Sequence, residues 1–158
     1  MKYDVEKFCA DLKTVLAANM NAKLLQIDAE KADAITLKPV DANAYFFQEL
    51  NGNTANYDPY VLYSIEDMGS TGLGPVTVER PVVHFVVVLA DTGQDATGIA
   101  ARMLRYQRAL KEIFEEHWAE NGNGIKLEIS SMVPVQFSLM NSANPFRAIG
   151  VAVTGQLG

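Results

Sequence analysis

The sequence predicts a single α+β domain: a mixed or antiparallel sheet, two main amphipathic helices packed on it, and a long β-hairpin excursion. Three observations carry that prediction. Two long segments, one near the N-terminus and one after residue 96, repeat apolar residues at intervals of three and four, the period of a helix with one buried face. Between them lies a valine-rich stretch, Pro75 to Ala90, with the composition of a strand. After the second helical segment apolar residues alternate with polar ones, the period of a half-buried strand. With 158 residues, 49% of them hydrophobic and 20% charged, the chain is long enough for one domain that buries roughly 70% of its unfolded surface.

The first helix is expected over about residues 4–20. Asp4 suits the N-cap, where a carboxylate accepts from a first-turn N–H, and Glu6 adds the negative charge that the helix dipole favours there. Val5, Phe8, Cys9, Leu12, Val15 and Leu16 form its apolar face, and the end is expected near Asn19 to Asn21. Strands are expected within about 23–90. "AKLLQID" and "DAITLKPV" read as short strands, "AYFFQEL" as a strand or a helical turn, and "NGNTANYDP" as a loop. "YVLYSIED" and "PVTVERPVVHFVVVLA" then read as two strands joined by a glycine-tipped turn near 66–76. Pro81 removes a ladder donor, so the early half of the second strand belongs on an edge or beyond the main sheet. Its later half is apolar at both parities, which predicts cover on both faces.

The second helix is expected over about 96–120, capped by Asp95. Its stripe is Ile99, Met103, Tyr106, Leu110, Ile113, Phe114 and His117, and "ENGNG" stops it. A C-terminal hairpin over about 125–154 follows, its first strand interrupted by Pro134 and its turn made by "NSANP".

The glycine-rich stretch "GSTGLGPV" invites a phosphate-binding reading and does not support it. A P-loop needs a lysine and a following helix; this stretch has neither, and Pro75 leads into a strand. The spacing of Gly69, Gly72 and Gly74 also differs from the dinucleotide fingerprint, and Glu66 and Asp67 would repel phosphate. It reads as a hairpin tip.

No other chemistry-bearing motif appears. His84 lies inside the valine run, where a packed histidine is the simpler reading, and His117 lies near a helix C-terminus, where the dipole favours it. Neither has metal-ligand spacing, and no nucleophile elbow is present. Catalytic, metal and cofactor-binding residues are therefore assigned to none, and the expectation is a non-enzyme without a cofactor. The single cysteine, Cys9, cannot form an internal disulfide and sits on the buried face of its helix. The start "MKYDVEKF" is charged where a signal peptide needs apolar residues, and no apolar run approaches a membrane span. The expectation is an intracellular protein when made, with no membrane partner. A formal charge of −6 argues against a broad nucleic-acid surface.

One feature of the second helix stands out. Arg102, Arg105, Arg108 and Lys111 fill its first half, while Glu112, Glu115, Glu116 and Glu120 fill the second, an order that opposes the helix dipole. A solvated face is one reading. The other is charge matching between subunits, a basic end against a neighbour's acidic surface. Leu104 lies on the polar side of this helix. The subunit-interface candidates are Arg102, Leu104, Arg105, Arg108, Glu112, Glu115 and Glu116. Leu104→Glu or Arg105→Glu is expected to weaken self-association with the fold intact.

The order of these elements resembles that of the tail terminator (tail completion) proteins of long-tailed bacteriophages, and more loosely other neck and tail ring proteins. The resemblance rests on the N-terminal amphipathic helix, the glycine-tipped excursion, the helix "IAARMLRYQRALKEIFEEHW" and the closing hairpin ending "NPFRAIGVAVTG". It implies a structural virion protein, a homo-oligomeric ring, commonly hexameric, that caps the tail tube and joins it to the head or neck. Its implied partners are itself, the tail tube protein and a head–tail connector or neck protein, with DNA passing through the lumen without specific binding. Its implied place is the virion tail or neck, and the host cytoplasm during assembly. Gly69, Gly72, Leu73 and Gly74 would then be docking-loop candidates. Another connector or tube ring protein, or a small α+β enzyme or ligand-binding domain with His84 and Glu79 in its pocket, are the rival readings.

Overall fold

Helix α1 spans Val5–Lys31, starting where the sequence places it: the Lys7 backbone N–H donates to Asp4 Oδ1 at 2.7 Å. The computed structural model describes residues 3–47, 56–71, 78–90, 96–121, 124–137 and 146–157. The expected end of α1 near Asn19–Asn21 is not its end, and "AKLLQID" is helix rather than strand. The apolar period simply continues: Met20, Leu24 and Ile27 are buried on the face begun by Phe8 and Leu12. The two asparagines that suggested a stop have other work. Asn19 donates to the Val15 carbonyl one turn back, and Asn21 exchanges two hydrogen bonds with the Val40 backbone. The helix closes at Ala32, in the left-handed region at φ 48°, whose N–H returns to the Asp28 carbonyl.

"DAITLKPV", expected as a short strand, is not one: residues 35–40 carry no regular secondary structure and join no ladder. Side chains of the helices hold its backbone instead. Asp28 accepts from the Leu37 N–H, Asn21 brackets Val40, and Tyr106 donates to the Lys38 carbonyl at 2.6 Å.

Among the described residues six strands make one mixed sheet: β1 (Tyr45–Phe47), β2 (Tyr60–Thr71), β3 (Val78–Ala90), β4 (Leu127–Ser131), β5 (Val135–Phe137) and β6 (Phe146–Gly155). Their order is β1-β2-β3-β6-β4, with β5 also on β6; β1 runs parallel to β2 and the other pairs are antiparallel. The hairpin is longer than expected, since β2 continues to Thr71, opposite Val78, with an irregularity at Glu66. Pro81 acts as anticipated. Pairing of β3 with β6 stops at Val82–Thr154 and returns only as the bridge Glu79–Leu157, leaving a gap at the proline. Pro134 likewise falls in the break between β4 and β5.

Helix α2 (Ala96–His117), continued by a 3₁₀ turn at Trp118–Asn121, packs with α1 on one face of the sheet. That face carries Val61, Val83, Phe85, Val87, Ile149, Val151 and Val153, all buried; Tyr63 stacks on Phe85, and Phe114 meets Phe85 at a tilt of 54°. The opposite face differs from the expectation of cover on both sides. Val88 and Tyr60 are buried there, but Val82, His84 and Val86 are only partly buried. Asp95, the "NSANP" turn and the tip residues 72–77 lie outside the described residues.

Candidate functional site: the two-helix layer and the sheet-edge groove

The inverted charge order of α2 is matched within the chain. Helix α1 runs antiparallel to α2, so its own charges meet those of α2 in reverse sequence. Lys23 donates to Glu116 at 2.7 Å and stands 3.6 Å from Glu112. Further along α1, Glu30 accepts from Arg108 at 2.6 Å, and Arg108 Nε also reaches Glu112 at 2.9 Å. Beyond the end of α1, Asp33 takes both terminal nitrogens of Arg105, one of which also donates to the Ile35 carbonyl at 3.2 Å. The dipole penalty on α2 is thus offset by an interhelix ladder.

This ladder changes the standing of several interface candidates. Arg105 is 8% exposed and tied to Asp33, so Arg105→Glu perturbs the fold itself; the expectation that it would leave the fold intact is corrected. Arg108, Glu112 and Glu116 are likewise engaged inside the chain. Arg102 stands two residues from Leu104 and therefore about 200° around the helix from it, on another face. Leu104 is 59% exposed, and Glu115 beside it is exposed with Lys111 Nζ at 3.9 Å. Of the candidates, Leu104 is the exposed apolar one, while Glu115 shares the solvent face with its partner Lys111.

Leu104 stands between two shallow hollows. One, of about 280 Å³, is lined by Lys31, Ala101, Arg105 and Arg108 as well as Leu104. The other, of about 350 Å³, is lined by Leu104, Gln107, Arg108, Lys111, Glu112, Glu115 and Ser131 of β4. Gln107 fixes this corner by donating to the carbonyls of Met132 and Gly150.

A larger apolar groove, of about 500 Å³, opens at the other end of the sheet order, between the first turns of α1 and strands β1 and β2. Val5, Cys9, Ala10, Phe47, Tyr63 and Ile65 line it, with Glu6 as its charged member. Burial pushes the Cys9 thiol up to about 11. Sequence reasoning missed this groove. Its clearest mark in the structure is Phe47, 41% exposed at the end of a three-residue strand; in the sequence "AYFFQEL" gives no sign of it.

The other singled-out residues lie elsewhere. His84 Nδ1 pairs with the Glu66 carboxylate on the sheet face away from the helices, and His117 Nδ1 stands 3.0 Å from Glu120. Glu79 meets Leu157 through its backbone. Neither His84 nor Glu79 lines the groove. Gly69 sits within β2 opposite Arg80; Gly72, Leu73 and Gly74 lie outside the described residues. Among the described residues no group of three His, Cys, Asp or Glu side chains is placed to hold a metal ion, and no helix is long and apolar enough to cross a membrane. No protein-family model and no curated protein sequence matches this chain.

Proposed function

We propose that this chain is a structural virion subunit that closes into a homo-oligomeric ring, a hexamer in the tail-terminator pattern. The ring caps the tail tube of a long-tailed bacteriophage and joins it to the head or neck. The work in this reading is done by interfaces rather than by catalysis, with the tube protein below and a connector or neck protein above. The observation that carries it is Leu104, a leucine 59% exposed on the solvent face of a helix whose other large apolar residues are buried. The order of helix, hairpin excursion, helix and closing hairpin supports it, and a net charge of −6 suits a channel through which DNA passes without sticking.

The test is the mass of the purified protein by light scattering across concentration, followed by microscopy of tail tubes assembled with and without it. A closed oligomer that binds tube ends and halts their growth supports the reading. A chain that stacks without limit is a tube subunit, and a monomer that leaves tube growth unchanged ends the proposal.

One observation favours a second reading. The groove of about 500 Å³ has the size and apolar lining of a small-molecule site, which a ligand-binding domain would use. Medium-chain fatty acids should then raise the melting temperature in a saturable way, whereas the ring requires a melt that depends on protein concentration.

A further inference from the structure

The knob at Leu104 and the groove beside Phe47 stand at opposite ends of the sheet. The groove is lined by residues of β1 and β2, at one end of the order β1-β2-β3-β6-β4. The hollow beside Leu104 is lined by Ser131 of β4, at the other end. The two surfaces also differ in kind. One is a single exposed leucine among Arg105, Arg108 and Lys111, each paired within the chain to an acid, and the unpaired Lys31; the other is apolar, and its one charged lining residue is the acidic Glu6. No ion pair joins Lys31 or Glu6 to another described residue, so both charges are available to a partner.

From this arrangement we infer that the groove of one subunit receives the Leu104 face of α2 from the next copy of the chain. This rests on the ring reading and gives it a contact. An apolar anchor in an apolar groove with a polar rim is the anatomy of an interface centre. Lys31 of the incoming copy approaches Glu6 of the receiving one, which fixes orientation. Because knob and groove are different surfaces on opposite ends of one subunit, the contact is head-to-tail. Repeated with a closing rotation it makes a ring of three or more subunits; a parent of only two subunits would mean that two antiparallel copies make the contact reciprocally, and would remove the ring.

Two substitutions on exposed helix positions separate this geometry from its rivals. Leu104→Glu removes the knob and leaves the groove; Ala10→Arg blocks the groove and leaves the knob. The expected result is an oligomeric parent, two monomeric variants that keep the parent's circular dichroism, and a 1:1 mixture that forms a dimer and nothing larger. In that mixture the intact knob of the Ala10→Arg chain has one intact groove to enter, on the Leu104→Glu chain. Loss of assembly in only one variant would overturn the inference, since a two-fold contact through α2 spares Ala10→Arg and one through the groove spares Leu104→Glu. A mixture that stays monomeric would also overturn it. An oligomeric parent with both variants unchanged leaves the ring and removes this contact, whereas a parent that is monomeric at every concentration and on tube ends removes both.

Discussion

Lys23 of α1 crosses to Glu116 of α2, Nζ to Oε2 at 2.7 Å, from a stem only 4% exposed. It sits among Met20, Leu24 and Ile27 on the buried face, so its methylenes pack as a hydrophobe while its head answers two glutamates. Lys23→Met keeps the packing and removes the charge; since both glutamates stay in contact with water, the expected loss is about 1 kcal/mol by urea unfolding. Lys23→Glu places a third carboxylate there and should prevent stable docking of the helices. Equal midpoints for the two variants would show that the charge on Lys23 does not matter.

The same ladder sets how the fold responds to acid. The hydrogen bond from Lys23 lowers the Glu116 pKa below its ordinary 4.5, and that from Arg105 lowers Asp33 below its ordinary 3.8. Groups depressed by folding contribute stability that is present above their unfolded pKa and lost as the pH falls through the folded value. Melting temperature should therefore hold between pH 7 and 5 and fall below about 4.5, and Lys23→Met should flatten part of that fall. A melting temperature that stays level down to pH 3 would show that these pairs contribute no stability.

Leu104 and Arg105 are chain neighbours with opposite prospects. Arg105 is buried and locks Asp33 to α2, whereas Leu104 touches solvent. Arg105→Glu should lower the melting temperature at every protein concentration. Leu104→Glu should leave the melt of the monomer unchanged and remove only its concentration dependence. The comparison needs a thermal scan at two concentrations for each variant.

The helices, the hairpin and the effect of Pro81 were legible because each follows from local chemistry: an apolar period, a missing N–H, an N-cap. The second half of α1 was not. Asn19 and Asn21 carry the stop signals of a helix end, and only the tertiary partners of Asn21 on Val40 explain why the helix continues. The segment 35–40 failed for the reciprocal reason: its composition is that of a strand, but Asp28, Asn21 and Tyr106 claim its backbone groups before a ladder can. At the candidate site Leu104 was visible from helical phase alone. The ladder was visible only as an oddity, since its other half lies on α1 and just beyond its end, more than seventy residues away in sequence for each pair.

Cys9 lines the groove floor yet is itself 5% exposed, and burial raises its thiol to about 11. At pH 8 that leaves roughly one thiolate in a thousand, against about one in four for an ordinary thiol of pKa near 8.5. A disulfide reagent at pH 8 should therefore modify the folded protein at least a hundredfold more slowly than the urea-unfolded chain. Similar rates in the two states would mean that the groove opens to its floor.

Gly150 and Gly124 separate two ways in which a glycine can be required. At Gly150, in β6 opposite Val86, an added Cβ would lie 2.0 Å from the Phe85 carbonyl oxygen, a backbone atom with nowhere to go. The peptide cannot slide away either, because Gln107 of α2 donates to the Gly150 carbonyl at 2.9 Å and binds the Met132 carbonyl with the same nitrogen. Gly124 has φ at +60° with nothing within 4 Å, so alanine there meets only the left-handed penalty of about 1 kcal/mol. Gly150→Ala must move a central strand or break the helix tether, and should cost about 3 kcal/mol or more. Urea midpoints of the two variants decide the matter: a similar small loss in both would mean that β3 and β6 have room at Gly150, and a much larger loss at Gly150 would fix the close approach of those strands as the constraint.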